Sequence, residues 1–169
     1  YSGYIRLYAH LDNYDLDTYL DALRAGNDYI TMSPILFPDE KNMFGATLEA
    51  KAGDELTLSM DVQSVNGMDK VYLWRNGICI GTQELKGTTD RTEVTFKTPA
   101  AAGEHVWYSF TAVDSNGKWA VTNPIWVKSE GGFSDVLPES WYFSSVMDVN
   151  EKGLMNGTGD GTTFSPNGT

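Results

Sequence analysis

The chain has 169 residues, 41% of them hydrophobic and 12% aromatic, enough for one ordinary domain plus a smaller unit and too many for a chain disordered throughout. Twelve basic side chains against twenty-three acidic ones leave a formal charge of −11, which repels nucleic acid and anionic lipid rather than attracting them. No apolar run reaches the roughly 18 residues of a membrane span, and the opening residues lack the basic start and apolar stretch of a signal peptide, so the signal of an exported parent is expected upstream.

In chain order, residues 1–45 read as strand, helix, strand and loop. Leu16, Tyr19, Leu20 and Leu23 follow the i, i+3, i+4, i+7 spacing of one helical face, with Asp15 or Asp17 as N-cap and Gly26 at the left-handed C′ position. A short strand is predicted over 29–32, stopped by Ser33 and Pro34, and the charged stretch 37–45 reads as a surface loop. From residue 46 the period changes to two. Leu56, Leu58, Met60 and Val62 alternate with polar partners, Asn66 and Gly67 turn the chain into a strand at 70–75, and Asn76-Gly77 is a type I′ hairpin signal leading into 78–85. Further strands are predicted at 92–98, along Val106, Tyr108, Phe110 and Ala112, and at 119–127 after the turn 114–117.

Six or seven short strands with turn signals every eight to twelve residues predict an immunoglobulin-like antiparallel β-sandwich over 46–128, mainly β and preceded by one short helix. Residues 129–132, Ser-Glu-Gly-Gly, read as a linker. In 133–169 a short helix is predicted on Tyr142, Val146 and Val149 and closed by Gly153. Such a helix is marginal in water, so it is expected to dock through Tyr142 and Val146.

The order Phe133-Ser134-Asp135-Val136, then Trp141-Tyr142-Phe143, then Gly157-Thr158-Gly159-Asp160-Gly161 and Thr163-Phe164-Ser165-Pro166 resembles the first two thirds of an S-layer homology repeat. Complete repeats continue with Arg-Ala-Glu and a second helix. The resemblance therefore implies a partial repeat, a parent longer than this chain, and secondary cell-wall polysaccharide as the partner of the complete array. It also implies a location at the bacterial cell surface, outside the cell. By the same resemblance, Trp141, Gly157, Asp160 and Gly161 stand at positions that help form a polysaccharide groove in complete arrays. The competing use is that Trp141 packs the small helix and the glycines only turn the chain.

Upstream, Leu20-Asp21-Ala22-Leu23-Arg24-Ala25-Gly26-Asn27-Asp28-Tyr29-Ile30-Thr31-Met32-Ser33-Pro34 resembles a stretch just after the catalytic barrel of PHP metallohydrolases of the carbaryl-hydrolase branch. Leu73-Trp74-Arg75-Asn76-Gly77 and Ala120-Val121-Thr122-Asn123-Pro124-Ile125-Trp126-Val127 are similar to parts of the β domain that follows there, so the resemblance spans about Tyr4 to Lys128. Asn27 and Ser33 depart from the arginine and glycine usual in that family. The resemblance implies a parent that is a metal-dependent hydrolase or phosphoesterase, with a barrel upstream as partner and divalent metals held only by that barrel. The matching segment lies downstream of the chemistry, so no catalytic, metal or cofactor residue is carried over.

Individual residues agree with that reading. The chain has two histidines, His10 and His105, and no His-x-His or His-x-x-x-His pair, so neither builds the three- or four-ligand cage a metal site needs. Asp12, Asp15, Asp17 and Asp21 lack the glycine and terminal glutamate of an EF-hand loop and read as a solvated helix start. Cys79, between Ile78 and Ile80, reads as a buried thiol. Trp74, Trp107, Trp119 and Trp126 are expected in the core, with sugar stacking as the alternative. Asn156-Gly157-Thr158 and Asn167-Gly168-Thr169 fit a glycosylation pattern but suit turns. No Gly-x-Ser-x-Gly is present. The chain is thus expected to be a non-catalytic spacer and the start of a wall anchor, with an independent carbohydrate-binding sandwich as the alternative.

Overall fold

A computed structural model describes residues 4–158 and 161–165, apart from the side chains at 104 and 105. The elements are β1 (Arg6–Ala9), α1 (Leu16–Ala25), β2 (Asp28–Thr31), β3 (Ile35–Pro38), β4 (Thr47–Lys51), β5 (Glu55–Gln63), β6 (Met68–Arg75), β7 (Ile78–Thr88), β8 (Thr92–Pro99), β9 (Gly103–Asp114), β10 (Trp119–Thr122), β11 (Ile125–Glu130) and α2 (Phe143–Glu151), with a one-turn 3-10 helix at Glu40–Asn42. The fold is mainly β, as the strand periodicity predicts, with a curled eight-stranded sheet, a second sheet of β3, β5 and β8, and one helix near each end. Contacts gather the chain into two compact units. One comprises Tyr1–Ala46, Leu58–Phe96 and Trp107–Trp126, the other Thr47–Thr57, Lys97–Val106 and Val127–Thr169.

In the first unit α1 starts where the sequence marks it. Asp15 accepts the Thr18 N–H at 2.9 Å and the Thr18 hydroxyl at 2.8 Å, and Gly26 ends the helix in the left-handed region with φ of 73°. β1 pairs with β2, β2 with β10, and β10 with β9, each antiparallel, and β6 lies between β9 and β7. The period-two pattern sends Leu58, Met60, Val62, Val71, Leu73, Val94, Tyr108, Phe110, Ala112 and Ala120 inward, each 1% exposed or less. At roughly 1.5–3 kcal/mol for each large side chain, this core is the main source of the unit's stability.

Four readings of the first unit are corrected. The stretch 37–45 is not a surface loop: β3 pairs with β5, Asn42 is buried with its side-chain oxygen accepting the Ser59 N–H at 3.1 Å, and Phe44 is 1% exposed. Asp39 supplies the local reason, accepting the Lys41 N–H at 2.8 Å and the Ser59 hydroxyl at 2.9 Å, so its charge serves a turn rather than solvent. The strand at 119–127 is two strands broken at Asn123 and Pro124. Pro124 has no N–H to give a ladder, and the Asn123 amide instead donates to Gly26 O at 3.1 Å and to Asp28 Oδ1 at 2.9 Å.

Cys79 is exposed, because it follows the hairpin on β7, which pairs only with β6. The four tryptophans are not core residues: Trp74, Trp107 and Trp119 are half-buried and Trp126 is 40% exposed. Strand parity is the reason. With Val71, Leu73, Tyr108, Phe110, Ala112, Ala120 and Ile125 inside, the tryptophans fall on the opposite face. Trp74 donates its Nε1–H to the Thr111 hydroxyl at 3.0 Å and lies beside Tyr72 with ring centroids 6.1 Å apart.

In the second unit the turn after β4 is held by main-chain bonds: Ala52 N–H to Glu130 O and Gly53 N–H to Ala100 O, both 2.9 Å, and Ala100 N–H to Asp54 O at 2.8 Å. Val127, Ala100, Ala101 and Val106 are buried. Ser129 and Glu130, read from sequence as linker, close β11 instead, and only Gly131 and Gly132 lie between that strand and the terminal segment.

Candidate functional site

The terminal segment, also in the second unit, is a small folded body with its own core. Phe133, Val136, Phe143 and Val146 are buried together, with Tyr142, Met147 and Phe164 packed against them. The opening Phe-Ser-Asp works by pairing with the end of the segment. Ser134 donates its N–H to Thr162 O at 2.9 Å, and Asp135 accepts the N–H of Phe164 at 2.7 Å and of Ser165 at 2.6 Å. One carboxylate thus satisfies two main-chain donors and clips the last described residues onto the first, in two charge-assisted bonds. Sequence reading named no role for Asp135. The signal was its place in the opening motif, where an acidic side chain is free to accept main-chain N–H groups of a turn brought back onto it.

Val146 and Tyr142 belong to this internal core, and the next residue of α2, Met147, lies against Gly132 and Ala52. A Cβ at Gly132 would lie 2.4 Å from Met147 Cε and 2.9 Å from Ala52 Cβ, which measures how closely the three residues approach. Gly132 N–H donates to Asn150 Oδ1 at 3.3 Å, while the Asn150 amide donates to Met155 O at 3.0 Å. The helix carries no side-chain cap at its start, and its end is closed by Lys152 and Gly153 N–H groups donating to Asp148 and Asn150 carbonyls.

Among the four candidate glycan residues, Trp141 stands at 93% exposure, its ring edge-on to Tyr142 at 5.4 Å. It stands outside the helix core, whereas the glycines do serve the turn. Gly157 and Gly161 belong to one turn, in which Gly161 N–H donates to Thr158 O at 3.0 Å and Thr158 pairs with Thr163. At Gly157, φ is 73° and a Cβ would come within 2.6 Å of both Phe133 Cε1 and Thr163 O, so no other residue fits without movement. Asp160 lies outside the described residues. What the geometry supplies is one large, exposed indole beside a phenol ring, and a tight turn whose hydroxyls, Thr158, Thr163 and Ser165, bond to one another at 3.0–3.1 Å.

The S-layer homology domain family matches residues 132–169. An S-layer homology domain therefore forms the end of this chain. Domains of this family bind cell-wall polysaccharide and are typical of cell-surface proteins. No curated protein matches the chain. The match covers the clip at Asp135, Trp141 and the Gly157 turn, so the polar and aromatic features just described belong to the S-layer homology domain and not to the strands.

Of the other residues weighed from sequence, His10 is exposed, and its N–H donates to Asn27 O at 2.8 Å beside the end of β1. Asp15 is the α1 cap and is held below the ordinary carboxylate range by the Thr18 N–H and hydroxyl. Asp12, Asp17 and Asp21 are exposed, and Asp21 pairs with Arg24 at 2.8 Å. His105 and residue Asn167 lie among side chains or residues that are not described. No helix among the described residues is long and apolar enough to cross a membrane.

Proposed function

We propose that this chain is a non-catalytic connecting and anchoring segment of an exported bacterial surface protein, with the β-rich part serving as spacer and the S-layer homology domain opening a wall-binding array. The observation that carries the reading is the S-layer homology match at 132–169, together with an exposed Trp141 at 93% that the domain's own core does not use. An aromatic ring free of the core is the natural platform for stacking on a sugar face, and a net charge of −11 favours a partner bound through such stacking over one bound by positive charge. We further propose, from the resemblance of residues 20–34, 73–77 and 120–127, that the parent is a PHP-type metallohydrolase whose metals and catalytic residues lie in an upstream barrel. The fragment itself then needs no cofactor.

The experiment is sedimentation of the chain, and of the chain extended to three repeats, with purified cell-wall sacculi. The extended protein should pellet, and Trp141→Ala should reduce its bound fraction several-fold without changing its circular dichroism. Equal binding of the variant would remove Trp141 from the site, and failure of the extended protein to bind would overturn the anchoring role. For the parent, the test is the coding sequence upstream: absence of a His- and Asp-rich barrel there ends the metallohydrolase reading.

A second reading, an independent carbohydrate-binding β module, is favoured by one observation. Trp74, Trp107, Trp119 and Trp126 all stand outside the core, with the Trp74 indole fixed by Thr111. Tryptophan fluorescence of residues 1–130 titrated with soluble β-glucans and wall polysaccharide tests it, and an unchanged spectrum with every glycan removes it.

A further inference from the structure

The sequence carries five Asn-Gly pairs, beginning at Asn66, Asn76, Asn116, Asn156 and Asn167, and the first four lie among the described residues. In such a pair the glycine nitrogen, unshielded by a neighbouring Cβ, can reach the asparagine side-chain carbon Cγ. The attack needs a free main-chain nitrogen and a side-chain amide able to rotate, so hydrogen bonds to either group oppose it. Three of the four pairs are held. The Asn66 amide donates to Ser33 Oγ at 3.1 Å and to Asp114 Oδ2 at 2.9 Å, and the Gly67 N–H donates to Ser64 O at 3.0 Å. Asn76 Oδ1 accepts the Trp107 N–H at 2.9 Å, and the Gly117 N–H donates to Asp114 O at 2.9 Å, closing the turn that contains Asn116. Asn156 differs. The Asn150 amide holds the Met155 carbonyl at 3.0 Å on one side, and Thr158 N–H donates to Thr163 O at 2.8 Å on the other. Asn156 and Gly157 lie between these anchors, both exposed, and among the described residues no hydrogen bond engages the Asn156 side chain or the Gly157 N–H.

We propose that Asn156 is a site of spontaneous deamidation in the folded protein, and that its isoaspartyl product loosens the S-layer homology domain. The Gly157 nitrogen attacks Asn156 Cγ, a new N–Cγ bond forms and the Cγ–Nδ2 bond breaks. The amide nitrogen leaves as ammonia with the proton from Gly157, and a cyclic succinimide remains. Water then opens the ring. Attack at Cγ leaves aspartate, and attack at the main-chain carbonyl leaves isoaspartate, in which the backbone runs through Cβ and Cγ. In both cases an amide and water become a carboxylate and ammonia, with nothing oxidised or reduced. The second product lengthens the main chain by one methylene directly before Gly157, where space is tightest: a Cβ there would lie 2.6 Å from both Phe133 Cε1 and Thr163 O. The displaced turn pulls on Phe133, a member of the core that α2 completes. The proposal goes beyond wall anchoring and stands or falls independently of it.

The test ages the whole 169-residue chain in mildly alkaline buffer below its melting temperature and follows each Asn-Gly pair by peptide mapping, with isoaspartyl methyltransferase labelling to count isoaspartate. In the folded chain Asn156 should convert several-fold faster than Asn66, Asn76 and Asn116. In guanidinium chloride, where the hydrogen bonds are gone, those three should speed up toward it. Asn156→Gln should abolish conversion at that position, because the larger ring closes far more slowly, and leave the other three rates unchanged. Anion exchange then isolates the aged chains carrying the new charge, and their α2 amides should exchange several-fold faster than those of the fresh protein. Asn156→Asp, which adds the charge without the extra methylene, should keep the α2 protection of the fresh protein. No conversion at Asn156, faster conversion of any of the other three in the folded chain, or the same ratio of rates folded and unfolded would overturn the site. Unchanged α2 exchange in the isoaspartyl fraction would overturn its effect on the domain.

Discussion

At Gly157 backbone and packing constraints coincide. A side chain there meets both a positive φ and a Cβ within 2.6 Å of Phe133 and Thr163 O, so Gly157→Ala is expected to destabilise the S-layer homology domain by about 2–4 kcal/mol. The measurement is hydrogen exchange of α2 amides, and unchanged protection would mean the turn relaxes at no cost. Asp135→Ala removes the acceptor of two main-chain donors and is expected to cost about 2–3 kcal/mol in the same assay, with Asp135→Asn intermediate because one oxygen survives. Cys79 makes the opposite kind of case. It is exposed, and its thiol reaches only Gly81 O at 3.5 Å and Thr82 at 3.9 Å among the contacts described. The native protein should therefore react with Ellman's reagent at one thiol per chain without denaturant, and a thiol that appears only after unfolding would refute that exposure.

Elements show which periodicities could be trusted. α1 was legible from spacing and caps, and β5 from strict alternation, because both signals are local. Whether α1's apolar stripe is covered depends on neighbours, and among the described residues Leu16, Tyr19 and Leu20 stay exposed. The tryptophans carried a legible signal that was misread: once Val106, Tyr108, Phe110 and Ala112 are taken as the inner face, Trp107 must point outward. α2 presents Phe143 and Val146 to its own core and Met147 to Gly132 and Ala52, two uses that one helical face cannot reveal in advance. Met147→Ala is expected to lower α2 protection by about 1–2 kcal/mol, the low end for a half-buried methionine, while leaving exchange in β6 and β9 unchanged. Loss of protection in all three would show that the segment unfolds only with the rest.

On the scale of the whole molecule, acidic charge and buried carboxylates shape the response to pH. Burial opposes the charge on Asp114, but the Asn66 and Ser33 side chains and the N–H groups of Lys118 and Asn116 outweigh it and hold its carboxyl below the usual range of 3.8. A lowered native pKa means stability that is present above the unfolded value and is lost as pH falls through the native one. Asp15 and Asp39 act in the same direction. Asp28 has the reverse sign: burial raises it against the Asn123 hydrogen bond, so its contribution is full below 3.8 and is lost as pH rises through its native value. Thermal melts should thus show an acid limb below about pH 4 that Asp114→Asn flattens. Asp28→Asn should raise stability at neutral pH relative to the parent, and a lower melting temperature there would contradict the sign argued for it.

By itself, the sequence determined the acidic character, the antiparallel strands, the caps of α1 and the S-layer homology motif, because each rests on neighbours within a few residues or on composition. Only the tertiary structure decided that Asn123 and Pro124 split the last strand to tie down Gly26 and Asp28, that Phe44 and Asn42 are buried, and that Asp135 closes a loop thirty residues on. Those contacts join residues far apart in the chain, and a hydrogen-bond donor or a buried face finds its partner only when the backbone has already brought the two together.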